Sequence, residues 1–595
     1  MMANPDGIFE RPIIGFNNSW PLPTIEVNRG DRVQLFLTNG LADATTSLHF
    51  HGLFQKGSNN MDGPVGVTQC PISPGETMLY DFVVDQVGTY WYHSHSGSQY
   101  SDGLRGLFIV HDTKYESNYQ FDKELTWSIS DWYHDSSTEL IKQQLTRYNP
   151  TGAEPVPQNA LFNDSRNVTV PVEKDTTYLI RIANIGIMVS QYVYIQGHDF
   201  EIIEIDGVYT KPQKANMVYL TVGQRVSILV KTQSNPTTNF NILNIIDKSM
   251  LDTVPDDLQL YGVNTLSYDA SFKSLSVPKW IDNQDKFEPF DDFLLEPFYS
   301  KPLLPEPDHR IDLTLYMKNL GDGINYAFFN NHTYVAPRVP TLLTALSAPE
   351  HLKNNGQIYG SNTNSFVLQK DDIIEIVLNN EDDNKHPMHL HGHQFQVVAR
   401  SEDFDEPVHY DPRNVTLPEN PAIRDTVYVE GNGYVVLRFK ADNPGIWFFH
   451  CHLDFHLEQG LAVTLVEAPS DINIRLSKNE IDICHIAGVP VEGNAAGNMD
   501  FLDLAGEPVQ PNPLPDGFTS KGYFALTICT LVALYGLSTI YSYGMKDVTN
   551  TEKEKILNEK IVVKNLILSF EKQSSPEYQN LLKDLKKLDN LFDQL

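Results

Sequence analysis

Residues 369–380 read QKDDIIEIVLNN, and the same pattern occurs twice earlier, as NRGDRVQLFLTN at 28–39 and EKDTTYLIRIAN at 173–184. Each copy starts in a charged turn, alternates apolar and polar positions, and ends in Asn. Alternation with a period of two places one set of side chains on one face, which is the pattern of a half-buried β-strand. The copies begin 145 and 196 residues apart. A strand that recurs at domain-sized intervals predicts an all-β chain of three homologous β-sandwich domains. Shorter runs of the same kind, such as TMLYDFVVD, QRVSILVKT and YVVLRFKAD, fill the intervals between Gly, Pro, Asn and Asp turns. The expected divisions are 1–115, 116–275 and 300–470, followed by a Gly-, Asn- and Pro-rich stretch, 471–520, read as a stalk.

The chain has 595 residues, with 44 Lys+Arg against 76 Asp+Glu and a formal net charge of -32. A chain this acidic lacks the basic face that nucleic-acid binding needs, so that class is excluded. From Gly544 onward there are nine Lys and nine Asp+Glu, so the whole excess sits in residues 1–543. Two readings of it stand: a well-hydrated surface, or a field that attracts cations. With only four cysteines the chain is no disulfide-framework protein.

Tyr523–Tyr543 is free of charge over 21 residues. As a helix at ~1.5 Å per residue it matches a hydrocarbon core of ~30 Å. Tyr523, Tyr541 and Tyr543 lie at its ends, and Lys521 and Lys546 flank it, as expected for a single C-terminal transmembrane helix over 521–545. Residues 546–595 form the tail on the far side. Leu581, Leu582, Leu585, Leu588 and Leu591 recur there at helical spacing, which suits a partner-binding helix or a solvated one equally. The sequons at Asn17, Asn163, Asn167, Asn331 and Asn414 all precede the span, and so point to an extracellular or lumenal body with a cytoplasmic C-terminus. Cys70 and Cys484 lie on that side and can pair, whereas Cys529 falls within the span. The opening MMANPDGIFERP has no apolar signal region, so the expectation is a cropped start.

Eleven of the 19 histidines fall in four windows: SLHFHG, YWYHSHSG, HPMHLHGH and HCHLDFH. In a strand, residues i and i+2 share a face. The pairs His49/His51, His93/His95, His389/His391 and His450/His452 therefore each aim two imidazoles at one point. Eight imidazoles exceed the needs of one metal and suit a cluster. Cys451, between His450 and His452, faces the other way, where His386 and His456 can join it. A His₂Cys set with a weak or absent axial ligand describes a blue-copper site, and it is not a usual zinc set.

With these four motifs intact, residues from about 11 to 470 resemble the multicopper oxidases. The resemblance implies three cupredoxin-like (plastocyanin-like) domains and four coppers. The type 1 copper would be held by His386, Cys451 and His456, and the type 2 copper by His49 and His389. The type 3 pair would be held by His51, His93, His95, His391, His450 and His452. His393 matches a position that is not a ligand. By the same resemblance, electrons taken singly at the first site pass along the Cys451 strand to the second, where O₂ becomes water. Five residues after His456, where the family has Met or an apolar residue, stands Leu461, which implies a relatively high potential. Asp62 and Asp454 become candidates for proton relay; close relatives have Glu in place of Asp454.

The segments PTGAEPVPQN, NYAFFNN, MLDTVPDDLQL and EDDNKHPMHLHGH are similar to those of the fungal iron-transport ferroxidases. That resemblance implies Fe²⁺ and O₂ as substrates. It also implies iron-binding acids at Glu154, Asp252 and Asp382, with Tyr326 and Asp247 as weaker candidates. Carboxylates stabilise Fe³⁺ more than Fe²⁺, so they favour electron loss. The implied setting is a plasma or vacuolar membrane beside a high-affinity iron permease. A laccase-like phenol oxidase and a non-enzymatic copper-binding or permease-assembly protein are the alternatives.

Overall fold

The computed structural model describes residues 1–515, 517–545, 548–570 and 574–595. Lys546, one of the two lysines expected beside the span, lies outside them. Met1–Pro513 form one compact unit and Leu514–Leu595 a second.

The first unit is built from strands, and two of its sandwiches share one strand order. In the middle sandwich a six-stranded sheet runs Asn159–Phe162, Lys123–Trp132, Thr177–Asn184, Arg225–Lys231, Phe200–Ile205, Val208–Ala215. In the third the sheet runs Asn325–Phe329, His309–Asn319, Ile373–Asn380, Tyr434–Lys440, Phe395–Arg400, Ile423–Arg424. Each packs on a five-stranded partner. The repeated strand occupies the same central place in both, pairing parallel on one side and antiparallel on the other. A central strand is covered on both faces, which is why Ile373–Asn380 is buried throughout. In the first sandwich the equivalent strand, Arg32–Thr38, pairs with Thr77–Val83 and keeps an alternating, half-exposed pattern.

The repeat is local as well as topological. The third residue of each copy, Gly30, Asp175 and Asp371, adopts positive φ (93°, 54° and 66°), so the charged turn has one backbone shape three times. Gly takes that region freely and Asp tolerates it better than most residues. The terminal Asn is equally constant. Asn39, Asn184 and Asn380 each accept from the backbone N–H two residues on. Each also donates its Nδ2 to two carbonyls of the following loops. This Asx geometry closes the strand and fixes the loop beyond it. After Asn380 that loop carries Asp382 and Asn384.

The residues read as a stalk belong largely to the body. Cys484, in the helix Lys478–Ile486, is disulfide-bonded to Cys70. Asn479 exchanges hydrogen bonds with Leu79 and Thr77, Glu480 accepts from Asn60, and Pro513 bridges to Leu320. A Gly-, Asn- and Pro-rich composition marks irregular chain but leaves open whether other residues meet its polar groups. Here Ser361 and Asn362 do so for Glu507 and Gln510.

In the second unit Ser520–Gly544 is a single helix with mean hydropathy 1.7 over its most apolar window and no buried residue. Thr519 caps it. Val548–Leu568 and Pro576–Gln594 then form a helical hairpin, joined by the Lys560–Asp589 ion pair and by Lys560 over the Phe592 ring.

Candidate metal centres

Two strand pairings set the site. His49 lies opposite His93, and His389 lies opposite His450. Cys451 lies opposite Met388 on the alternate face, and His386 is two residues from Met388. The eleven predicted residues come together as two groups on either side of the Gly445–Cys451 strand, all buried except the half-buried His95. Ligand atoms fall within 4.8 Å of one another in the triads His49/His51/His389, His51/His93/His452, His95/His391/His450 and His386/Cys451/His456. Residues of each ligand set that the resemblance implies lie near one another, and His51 falls in two of the triads.

The tautomers are set by the backbone. A carbonyl only accepts, so the Nδ1 of His49, His93, His389 and His450 carries the proton donated to Asp62, Ser94, Asp425 and Cys451 respectively. This leaves the Nε2 atoms of His49, His93 and His389 buried without a partner. His391 Nε2 faces His450 Nε2 at 3.0 Å, and His452 Nε2 faces His51 Nδ1 at 3.1 Å. Burial, then neighbouring imidazoles, holds His51, His93, His95, His389, His391 and His452 far below the ordinary histidine range. Burial takes His450 down to about 4. Neutral imidazoles with orphaned lone pairs, converging in one buried space, fit a metal cluster.

The second group is an N₂S set. Cys451 Sγ lies 3.8 Å from His386 Nδ1 and 3.6 Å from His456 Nδ1, and the two nitrogens are 3.0 Å apart. Burial raises the thiol's pKa, but hydrogen bonds from His386 and His456 outweigh it and bring it to about 7. A thiol so ready to ionise beside two imidazoles suits a blue-copper ion. Leu461 is fully buried, and its carbonyl accepts from the Cys451 N–H.

The outward nitrogens of this set meet acids. His456 Nε2 donates to Glu154 at 2.7 Å, and His386 Nε2 donates to Asp382 at 3.0 Å. Burial raises the pKa of Asp382, yet the bond to His386 prevails and the net shift is downward. Asp252 stands on the exposed rim. Partial desolvation and then the charges of Glu154, Asp382 and Asp383 raise its pKa, which places the three predicted carboxylates in one electrostatic neighbourhood. The Tyr326 hydroxyl donates to Asp322, and its neighbour Asn325 donates to the carbonyl of Thr151, three residues before Glu154. Asp247 is buried, accepts from Tyr219 and Ser249, and pairs with Lys385, the residue before His386.

Asp62 and Asp454 differ in kind. Asp62 is fully buried; its carbonyl receives His49 and its carboxylate receives His391 at 2.8 Å. It orients two candidate ligands. Asp454 lines a cavity of about 300 Å³ with His93, His95, His450, His452 and Glu458. One of its oxygens has no partner, and burial, then Glu458, raises its pKa to about 8.

Sequence reading missed Asp425 and Thr426, whose carbonyl and hydroxyl contact His389 and His51. It also missed the buried Arg225 behind them. AIRDTVYV reads as an ordinary strand, and no spacing signal marks those residues.

Comparison with known proteins agrees with this geometry. Three family models, each described as multicopper oxidase, match residues 1–115, 123–271 and 334–471. The iron transport multicopper oxidase FET3 of Candida albicans is 52% identical, covering 92% of this chain and 88% of the relative. The iron transport multicopper oxidase FET5 of Saccharomyces cerevisiae is 50% identical, over 93% of this chain and 92% of its own. Among solved structures, Fet3p, described as a multicopper oxidase that functions in iron import, superposes with TM-score 0.83 at 48% identity, over 87% of this chain and 98% of that one. The laccase of Botrytis aclada superposes with TM-score 0.70 at 28% identity, over 82% and 89%.

Proposed function

The chain belongs to the iron transport multicopper oxidases, and from that premise we propose that it oxidises Fe²⁺ at an acid-lined blue-copper site and reduces O₂ at a cluster of histidine-held coppers. One observation carries the iron reading: both imidazoles of the Cys451 set present their outward nitrogens to carboxylates, Glu154 and Asp382.

We assign the type 1 copper to His386, Cys451 and His456, and the type 2 copper to His49 and His389. The type 3 pair falls to His51, His93 and His452 for one ion and His95, His391 and His450 for the other, making four coppers in all. Bound copper would supply single-electron acceptance from iron at the first site and reduction of O₂ to water at the second. The residues do the rest. Glu154 and Asp382 offer hard oxygen donors to Fe²⁺ within one hydrogen bond of the His456 and His386 rings, and Asp252, in their electrostatic neighbourhood, offers a third. Cys451 is joined through single peptide bonds to His450 and His452, so one strand links the two groups. Asp62 keeps His49 and His391 oriented, and Asp454, in the cavity beside His95 and His450, is placed to hold a proton for the oxygen reaction. The Ser520–Gly544 helix is read as a membrane anchor, with the body extracellular or lumenal and the tail cytoplasmic. An iron permease in the same membrane, plasma or vacuolar, is the proposed recipient of Fe³⁺.

The test is O₂ uptake by the copper-loaded full chain with Fe²⁺ or a bulky phenol. The account expects kcat/KM for Fe²⁺ to exceed that for the phenol by about tenfold or more, the equivalent of at least 1.4 kcal/mol of selectivity. A preference for the phenol supports the laccase-like alternative, and no O₂ consumption supports the non-enzymatic one.

A further inference from the structure

All of the candidate copper ligands lie in the first and third sandwiches, yet a turn of the middle sandwich reaches them. Thr221–Arg225 reads TVGQR and joins the strands Met217–Leu220 and Arg225–Lys231. Gly223 has φ +85°, and a Cβ on it would sit 3.0 Å from His452 Cδ2 and 3.1 Å from His51 Cε1. The bare backbone thus lies flat against one ligand from each outer sandwich. Gln224 Nε2 donates to the carbonyl of Thr426 at 3.1 Å. The hydroxyl of that threonine is 3.1 Å from His51 Nε2 and 3.1 Å from His389 Nδ1.

Arg225 is fully buried and makes two parallel bonds to Asp425, both 2.7 Å. Its Nε donates to the carbonyl of Thr89 at 3.0 Å, on the strand that ends in His93. Asp425 in turn receives His389 through its carbonyl, and its carboxylate lies 3.3 Å from His51 Nε2. Gly52, directly after His51, has φ +88°, and a Cβ on it would meet Arg225 Nη2 at 2.6 Å and Asp425 Oδ2 at 2.7 Å. A planar guanidinium fixes direction as well as distance, which an ammonium does not.

We propose that the Gly223–Gln224–Arg225 turn is a clasp that sets the spacing between the histidines of the first and third sandwiches, with Arg225 a positioning residue for the type 2 copper and the adjoining type 3 site. The proposal rests on the copper assignment above. It concerns residues outside the ligand set, on an element that supplies no ligand, and it explains the glycines Gly52, against the Arg225–Asp425 pair, and Gly223, against His51 and His452.

Arg225→Lys and Gly223→Ala in the copper-loaded full chain test it, alongside wild type. The readouts are the blue band of the type 1 copper and the electron paramagnetic resonance signal of the type 2 copper. The expected result is a retained blue band with a changed type 2 hyperfine pattern, and a type 2 copper lost to chelator at about 10- to 100-fold lower concentration. Unchanged type 2 hyperfine and chelator resistance in both variants overturns the clasp. A wild-type chain with no type 2 signal would instead overturn the copper assignment. If Arg225→Lys loses the blue band as well, the milder Gln224→Ala decides, because it removes only neutral hydrogen bonds. A shifted type 2 signal in it supports the clasp, and an unshifted one contradicts it.

Discussion

His456 Nε2 donates to Glu154 Oε1 at 2.7 Å, while Nδ1 of the same ring faces Cys451 Sγ at 3.6 Å. One imidazole therefore spans from the sulfur of the proposed blue-copper site to a carboxylate of the middle sandwich. His386 repeats the arrangement with Asp382. An iron ion held by these acids would be one side chain from the copper, and the predictions below follow from that.

Asp252 would give the proposed iron site a pH dependence. Partial desolvation and the nearby charges of Glu154, Asp382 and Asp383 raise its pKa, so it ionises later than an ordinary Asp. Only the ionised form binds Fe²⁺ well. KM for Fe²⁺ is therefore expected to fall as pH rises through that raised pKa, and Asp252→Asn is expected to flatten the fall. Initial rates against Fe²⁺ concentration across weakly acidic pH check this; an unaltered profile would remove Asp252 from the site.

Asp454 makes a thermodynamic prediction for the copper-free chain. Its folded pKa, pushed to about 8, lies above the usual value, so the folded state holds the proton more tightly than the unfolded one. Its contribution is fully present below the unfolded pKa and is lost as pH rises through the folded one. Asp454→Asn, which stays neutral, should gain on wild type in denaturant unfolding between about pH 4 and pH 8. A constant difference over that range would show that the carboxyl is not perturbed.

The disulfide between Cys70 and Cys484 ties the first sandwich to the segment after the third, across a sequence separation of 414. Closing so long a loop stabilises by about 2–5 kcal/mol. Cys484→Ser is expected to lower the thermal midpoint while leaving the blue band in the folded protein, since Cys451 is separate. Calorimetry with parallel absorbance measures both, and an unchanged midpoint would place the segment's stability in its packing alone.

Much of this was legible in the chain. The three copies of the strand carry their own turn and their own Asn, and so announced three related sandwiches. The H-x-H spacing gave the candidate ligands because side-chain direction in a strand depends only on parity. The division of the proposed type 3 histidines into triads needed the spatial convergence of residues far apart in the sequence. The Tyr326 hydroxyl is bonded to Asp322, a partner that its motif does not announce. Asp247 is buried with Tyr219 and Lys385 as partners, which no spacing announces. Asp425 and Arg225 were invisible because a bond between residues 200 positions apart leaves no local trace.

The most direct test of the iron site is the Glu154→Ala/Asp382→Ala double variant, assayed for Fe²⁺ and for a phenol with the blue band intact. Two charge-assisted contacts of about 1.5–3 kcal/mol each predict a loss in kcat/KM for Fe²⁺ of about 100-fold or more. Phenol oxidation should stay within about threefold of wild type, because it does not use the carboxylates. Full Fe²⁺ activity in that variant would contradict the account.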